Sequence, residues 1–293
     1  MNTPSADRRI HAPGRGIFYL IAGSAAFVIN DSIVKTMTDS LPVGQMMSIR
    51  GVVSLLIILA ICAPRGLKSQ LKIYNWKAQI SRGILVICAA YSFMTGLAYL
   101  PIGDLIAAGF VGPLFLTALA PIFLAERVGW RRWTAVCVGF VGMLIMMRPG
   151  GGILNWALMF PMAAAMFGAI RDIMTRRMSA MESSTATLFA TTLIVTLGGL
   201  LSLPVGWQMP TWEQTALLVI SGVFVCLGQF LTIDAFRYAE AAAISPFKYV
   251  SLVWAVAIGF VFWGDIPTLN TIAGATLIIV CGLYILRRER VRR

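Results

Sequence analysis

The chain has 293 residues, 58% of them hydrophobic and 12% charged, with a mean hydropathy of +0.82 and a formal net charge of +12. Soluble domains carry about 25% charged residues, so this composition excludes a water-soluble globule and implies a chain solvated by lipid. One histidine, His11, and five cysteines without C-x-x-C spacing leave no metal-ligand cluster and no histidine-based triad, so catalytic residues, metals and cofactors are not expected. The basic residues gather at the edges of apolar runs rather than on one polar face, and no nucleotide-binding phosphate loop occurs, which argues against a nucleic-acid partner and against ATP-driven work.

Crossing ~30 Å of hydrocarbon takes about 20 helical residues. Ten runs meet that need, near 16–36, 44–63, 80–99, 103–124, 132–148, 152–172, 184–204, 214–236, 242–263 and 268–286. The first follows Arg8, Arg9 and Arg15 and continues through Asp31 to Lys35 without a small-residue cleavage site, so it reads as a retained span. Asp31 and Lys35 stand one helical turn apart and can pair, and Asn30 beside them offers hydrogen bonds. Arg50, in the first two turns of the second run, either grips a substrate carboxylate in two-pronged fashion, pairs with Asp31, or anchors the outer surface. The third run contributes Tyr91 and Tyr99 as candidate ring faces for a substrate. The fourth carries Pro113 and Pro121, and prolines break helices within a membrane.

The sixth run ends on Asp172 and Arg176, again an acid and a base four residues apart. Such duplication suits a latch or gate at the same end of each half, with a substrate role as the alternative. Gln229 in the eighth run and Ser245, Tyr249 and Trp254 in the ninth can serve hydrogen bonds or ring faces to a substrate. Lys248, just past Pro246, either meets a substrate carboxylate or snorkels along its stem to the interface.

Ten spans place both termini on one side. With that side cytoplasmic, all 24 Lys and Arg lie on it except Lys35, Arg50, Arg148 and Lys248, as the retention of basic loops in the cytoplasm requires. Residue n also resembles residue n + 139 over much of the chain: Gly83 faces Gly222, Tyr99 faces Tyr238, and Glu126 faces Asp265. Upstream the offset is 141, where Asp31 and Lys35 meet Asp172 and Arg176. Residues 1–150 and 151–293 therefore read as two five-helix halves, and because five is odd the second enters from the opposite side. Inverted halves of this kind characterise secondary transporters, whose substrate site lies near the midplane between them.

An aromatic-ended third helix (Tyr99, Tyr238), a proline-bearing fourth (Pro113 and Pro121; Pro246), an acid just after it (Glu126, Asp265) and a small-residue fifth helix (Ala135 to Gly142; Gly274 and Gly282) recur in both halves. In these features the chain resembles the ten-helix EamA-type members of the drug/metabolite transporter superfamily, and among them the YddG-type exporters of amino acids. The resemblance implies an all-α integral membrane protein of the bacterial inner membrane, exporting amino acids or related small metabolites by alternating access, with uptake of riboflavin, S-adenosylmethionine or another metabolite as the alternative. The expected partners are a small-molecule substrate and the bilayer; the oligomeric state is left open, a monomer being compatible with this reading. A non-transporting receptor or scaffold is the rival from outside transport, and it predicts no central polar cavity.

Overall fold

The structure is a computed structural model that describes residues 13–124, 130–147, 156–178, 183–238, 247 and 249–291. Among them every regular element is helical, as expected of segments that must satisfy their backbone groups internally in lipid. The main helices are α1 (Pro13–Lys35), α2 (Val43–Cys62), α3 (Trp76–Tyr99), α4 (Ile102–Gly109), α5 (Gly112–Leu124), α6 (Trp130–Met147), α7 (Met159–Met178), α8 (Ser184–Leu200), α9 (Trp212–Tyr238), α10 (Val250–Trp263) and α11 (Leu269–Val291). By length and composition six apolar segments can cross a membrane, and four shorter apolar helices join them, which gives the ten spans read from sequence.

Local chemistry sets the helix ends. The Asn75 side chain accepts from the Ala78 N–H to start α3, and Ser183 does the same for α8 through Ala186. Gly264 closes α10 at φ +69°, the left-handed conformation in which a side chain is disfavoured. Its N–H bonds to the Phe260 carbonyl, and that of Asp265 bonds back to Gly259.

The fourth run, expected as one helix, is two. Phe110 and Val111 turn tightly, their N–H groups donating to the carbonyls three residues back at 3.2 Å each, and Val111 then starts α5. Pro113 has no N–H to give the Gly109 carbonyl, so the helical ladder lapses here. Of the ninth run, α10 and the turn residues Phe247 and Tyr249 are described; Pro246 and the residues before it lie outside the described part.

Helix packing follows the same register. Helix α1 lies along α9 as α7 lies along α3, while α2 packs on α8 and α6 on α11. The pairs match residue by residue. Tyr99 packs on Trp156 and Phe160 at 5.2 and 6.1 Å between ring centroids. Tyr238, its counterpart, takes Arg15 and Tyr19 at 4.8 and 5.4 Å, and these stand 141 residues before Trp156 and Phe160. A Cβ on Gly83 would meet Ile194 at 2.5 Å, and one on Gly222 would meet Val53 at 2.8 Å, again the corresponding pair. Phe110 and Tyr249, which correspond to each other, touch at 4.8 Å between ring centroids. Small residues admit the close approaches that association in lipid depends on, with α6 and α11 meeting at Gly142 and Gly274.

Candidate functional site

A cavity of about 500 Å³ lies between α1, α2, α3, the α4–α5 break, α7 and α9. Most of its wall is apolar, including Phe27, Phe93 and Met94, and Gly109 and Gly112 flank the break at its edge. Its polar groups sit at two levels.

The deeper level holds Asn30, Asp31 and Arg50. Asn30 is 3% exposed. Its Nδ2 donates to Asp31 Oδ1 at 2.9 Å, and its Oδ1 accepts from Arg50 Nη1 at 3.1 Å and from Ser221 Oγ at 2.7 Å. Arg50 further donates to the Met46 carbonyl at 3.2 Å and to Met94 Sδ at 3.3 Å. The guanidinium thus has several hydrogen-bond partners and all of them are uncharged. Among the described residues the only ion pair within 4.0 Å joins Arg171 and Asp172, so Arg50 and Asp31 stay linked through Asn30 rather than in direct contact.

The shallower level holds that Arg171–Asp172 pair, at 2.8 Å, with side chains 35% and 50% exposed. Behind it Arg82 of α3 donates to Thr175 Oγ1 at 2.8 Å and also to Thr191 Oγ1, tying α3 to α7 and α8. Arg171 and Asp172 are thus far more exposed than Asn30, and they lie toward the end where the sequence gathers its basic loops. At the far end Lys35 Nζ donates to the Leu100 carbonyl at 2.6 Å and lies 5.4 Å from the Trp263 ring, with Asp265, Asp104 and Asp39 close enough to act on its charge. Gln45 there exchanges two hydrogen bonds with Gln208, and Gln214 donates to Ser40. These contacts tie the ends of α1, α2, α3 and α9 to one another.

Of the residues singled out from sequence, the structure gathers Asn30, Asp31, Arg50 and Asp172 around one cavity. The expected Asp31–Lys35 pair does not form: Lys35, at the last turn of α1, meets the free carbonyl at the end of α3 instead. Tyr91, Tyr99, Gln229, Tyr249 and Trp254 do not line the cavity. Tyr91 packs beside Gly44, and Tyr99 is exposed on the bundle surface against Trp156. Tyr249 Oη and Trp254 Nε1, both buried, meet no hydrogen-bond partner among the described residues. Lys248, Ser245 and the Arg176 side chain lie outside the described part. Arg82, Thr175, Thr191, Ser221 and Met94 were not foreseen as site residues. The n + 141 register applied to Arg50 points to Thr191, and the n + 139 register links Arg82 to Ser221.

Comparison with known proteins agrees with this architecture. Residues 14–148 and 155–288 each match the EamA-like transporter family, one match per half. A riboflavin transporter of Vibrio cholerae is 29% identical over 95% of both chains. An S-adenosylmethionine uptake transporter of Rickettsia bellii is 28% identical over 94% of each. The pseudopaline exporter CntI of Pseudomonas aeruginosa is 23% identical, over 94% of this chain and 97% of its own. These relatives are not amino-acid exporters by name, and they include both uptake and export.

Proposed function

The chain belongs to the EamA-like transporter family, and on that premise we propose that it carries amino acids, aromatic ones included, or related small metabolites out of the bacterial cytoplasm by alternating access. Residues 1–150 and 151–293 are the two moving halves, and the termini and basic loops face the cytoplasm. The observation that carries this reading is Arg50: a half-buried cation on the wall of a cavity, hydrogen-bonded only to uncharged groups, one amide away from Asp31. A charge partly withdrawn from water without a counter-charge in contact is costly, and a substrate carboxylate supplies one. Asp31 and the Asn30 carbonyl suit the substrate's ammonium group. Phe27 and Phe93 offer apolar ring surface to its side chain. The relatives named for riboflavin and S-adenosylmethionine support a second reading, uptake of a larger metabolite through the same cavity.

Purified protein in liposomes, offered radiolabelled amino acids beside riboflavin, S-adenosylmethionine and a nucleobase, separates the readings. Flux of an amino acid above that of empty liposomes supports the proposal. Flux of another compound without any amino acid overturns it.

Lys35 acts in this scheme as the far-end latch. Lys35→Ala removes the tie between α1 and the end of α3, so the far-facing state should be visited more often. In a cysteine-free background carrying Ala89→Cys on the cavity wall, a membrane-impermeant maleimide added at the far face should label several-fold faster with Lys35→Ala than without it. Equal rates would return Lys35 to a purely structural role.

A further inference from the structure

The two polar levels of the cavity are the same site seen in the two halves. In the register fixed by the aromatic and glycine contacts, Asn30 corresponds to Arg171, Asp31 to Asp172, Arg50 to Thr191, and Ser221 to Arg82. Each level therefore has an acid at the corresponding position, and the shallow level has two arginines, Arg171 in the place of Asn30 and Arg82 in the place of Ser221, where the deep level has Arg50 alone. In the deep level Arg50 comes from α2, with the hydroxyl on α9 (Ser221). In the shallow level Arg82 comes from α3, with the hydroxyl on α8 (Thr191), to which Arg82 donates. The two arginines stand at non-corresponding positions, yet each bonds within its own level, Arg50 to Asn30 and Arg82 to Thr191, the counterpart of Arg50.

We propose that Arg82, with Thr175 and Thr191, forms a second carboxylate-binding site that becomes the floor of the cavity when the halves exchange conformations and the cavity faces the far end. The inference rests on the reading of Arg50 as a carboxylate site. Exchange of the halves turns a mouth into a floor and a floor into a mouth. Arg82 is now half-buried and tied to two threonine hydroxyls, neither of which neutralises its charge. Closure of the basic end around it would withdraw the Arg171–Asp172 pair from water and leave Arg82 facing the cavity as Arg50 does now. A carboxylate would then meet an arginine floor from either side of the membrane, although the sequence places no arginine at both members of any corresponding pair of these positions.

Sided kinetics test this. Protein is reconstituted in uniform orientation, and the half-saturating concentration of radiolabelled phenylalanine is measured from each face. Arg50→Gln should raise it at least about tenfold from the basic end and little from the far end, and Arg82→Gln should do the reverse. The double variant Arg82→Ser with Thr191→Arg, which rebuilds the deep-level arrangement in the other half, should return the far-end value to within about threefold of the starting protein. A matching gel-filtration profile shows that the variants fold, and if Arg82→Gln does not fold the double variant carries the test. Equal effects of Arg82→Gln from both faces, or none from either, would overturn the inference. An effect of Arg82→Gln at the far face with none of Arg50→Gln at either would instead sink the reading of Arg50 and keep Arg82.

Discussion

Arg50→Lys is expected to raise the half-saturating substrate concentration about tenfold, and Arg50→Ala about a hundredfold, with little change in the amount of folded protein. A hydrogen bond to a charged group contributes about 1.5–3 kcal/mol, which corresponds to roughly ten- to hundredfold in affinity. Lysine keeps the charge and loses the two-pronged geometry, hence the smaller effect. Folding should be largely spared, because the partners left behind stay satisfied. Asn30 Oδ1 still accepts from Ser221, Asn30 Nδ2 still donates to Asp31, and the Met46 carbonyl lies in a helix. Uptake into liposomes read beside a gel-filtration profile checks both halves of the expectation. A variant that binds as tightly as the starting protein would remove Arg50 from the substrate site.

Gly274→Leu should have the opposite signature, a loss of folded protein that no substrate restores. A Cβ at Gly274 would fall well inside contact distance of the Gly142 carbonyl oxygen, and one at Gly142 would lie 2.9 Å from the Gly274 oxygen. The neighbour is backbone and has no rotamer to yield, so α6 and α11 must separate along their shared face. Overpacking costs about 1–3 kcal/mol where side chains can adjust, and the rigid neighbour puts this change at the upper end or above. The midpoint of thermal unfolding in detergent should fall by about 5–10 °C. Gly14→Ala, whose Cβ would meet nothing within 4 Å, serves as the control. An unchanged midpoint for Gly274→Leu would mean that the two helices are not held at this contact.

Most of the fold is legible in the sequence because lipid imposes one rule on every span. Apolar length locates the helices, and the paired offsets foretell which contacts recur, as those of Tyr99 and Tyr238 do. The site is less legible. Arg82 reads as part of a basic loop, since the apolar stretch begins only near residue 80. In the structure Asn75 caps α3 early and carries Arg82 almost two turns into the helix. Tyr99 reads as a ring face for a substrate, yet the end of α3 turns it onto Trp156 at the surface. Asp31 and Lys35 have the spacing of an ion pair, but spacing on one helix does not reveal a free carbonyl arriving from another, and Leu100 takes the lysine.

The contacts around Tyr99 and Tyr238 are corresponding but not identical, for where one tyrosine meets the indole of Trp156 the other meets the guanidinium of Arg15. Two identical halves would make the inward- and outward-facing forms mirror each other in energy, each populated half the time. Exchanging an indole for a cation lifts that degeneracy. In an alternating-access cycle an empty carrier built this way has a preferred resting face. A resting bias of this kind changes no equilibrium across the membrane. It decides which side a lone substrate molecule finds the door already open.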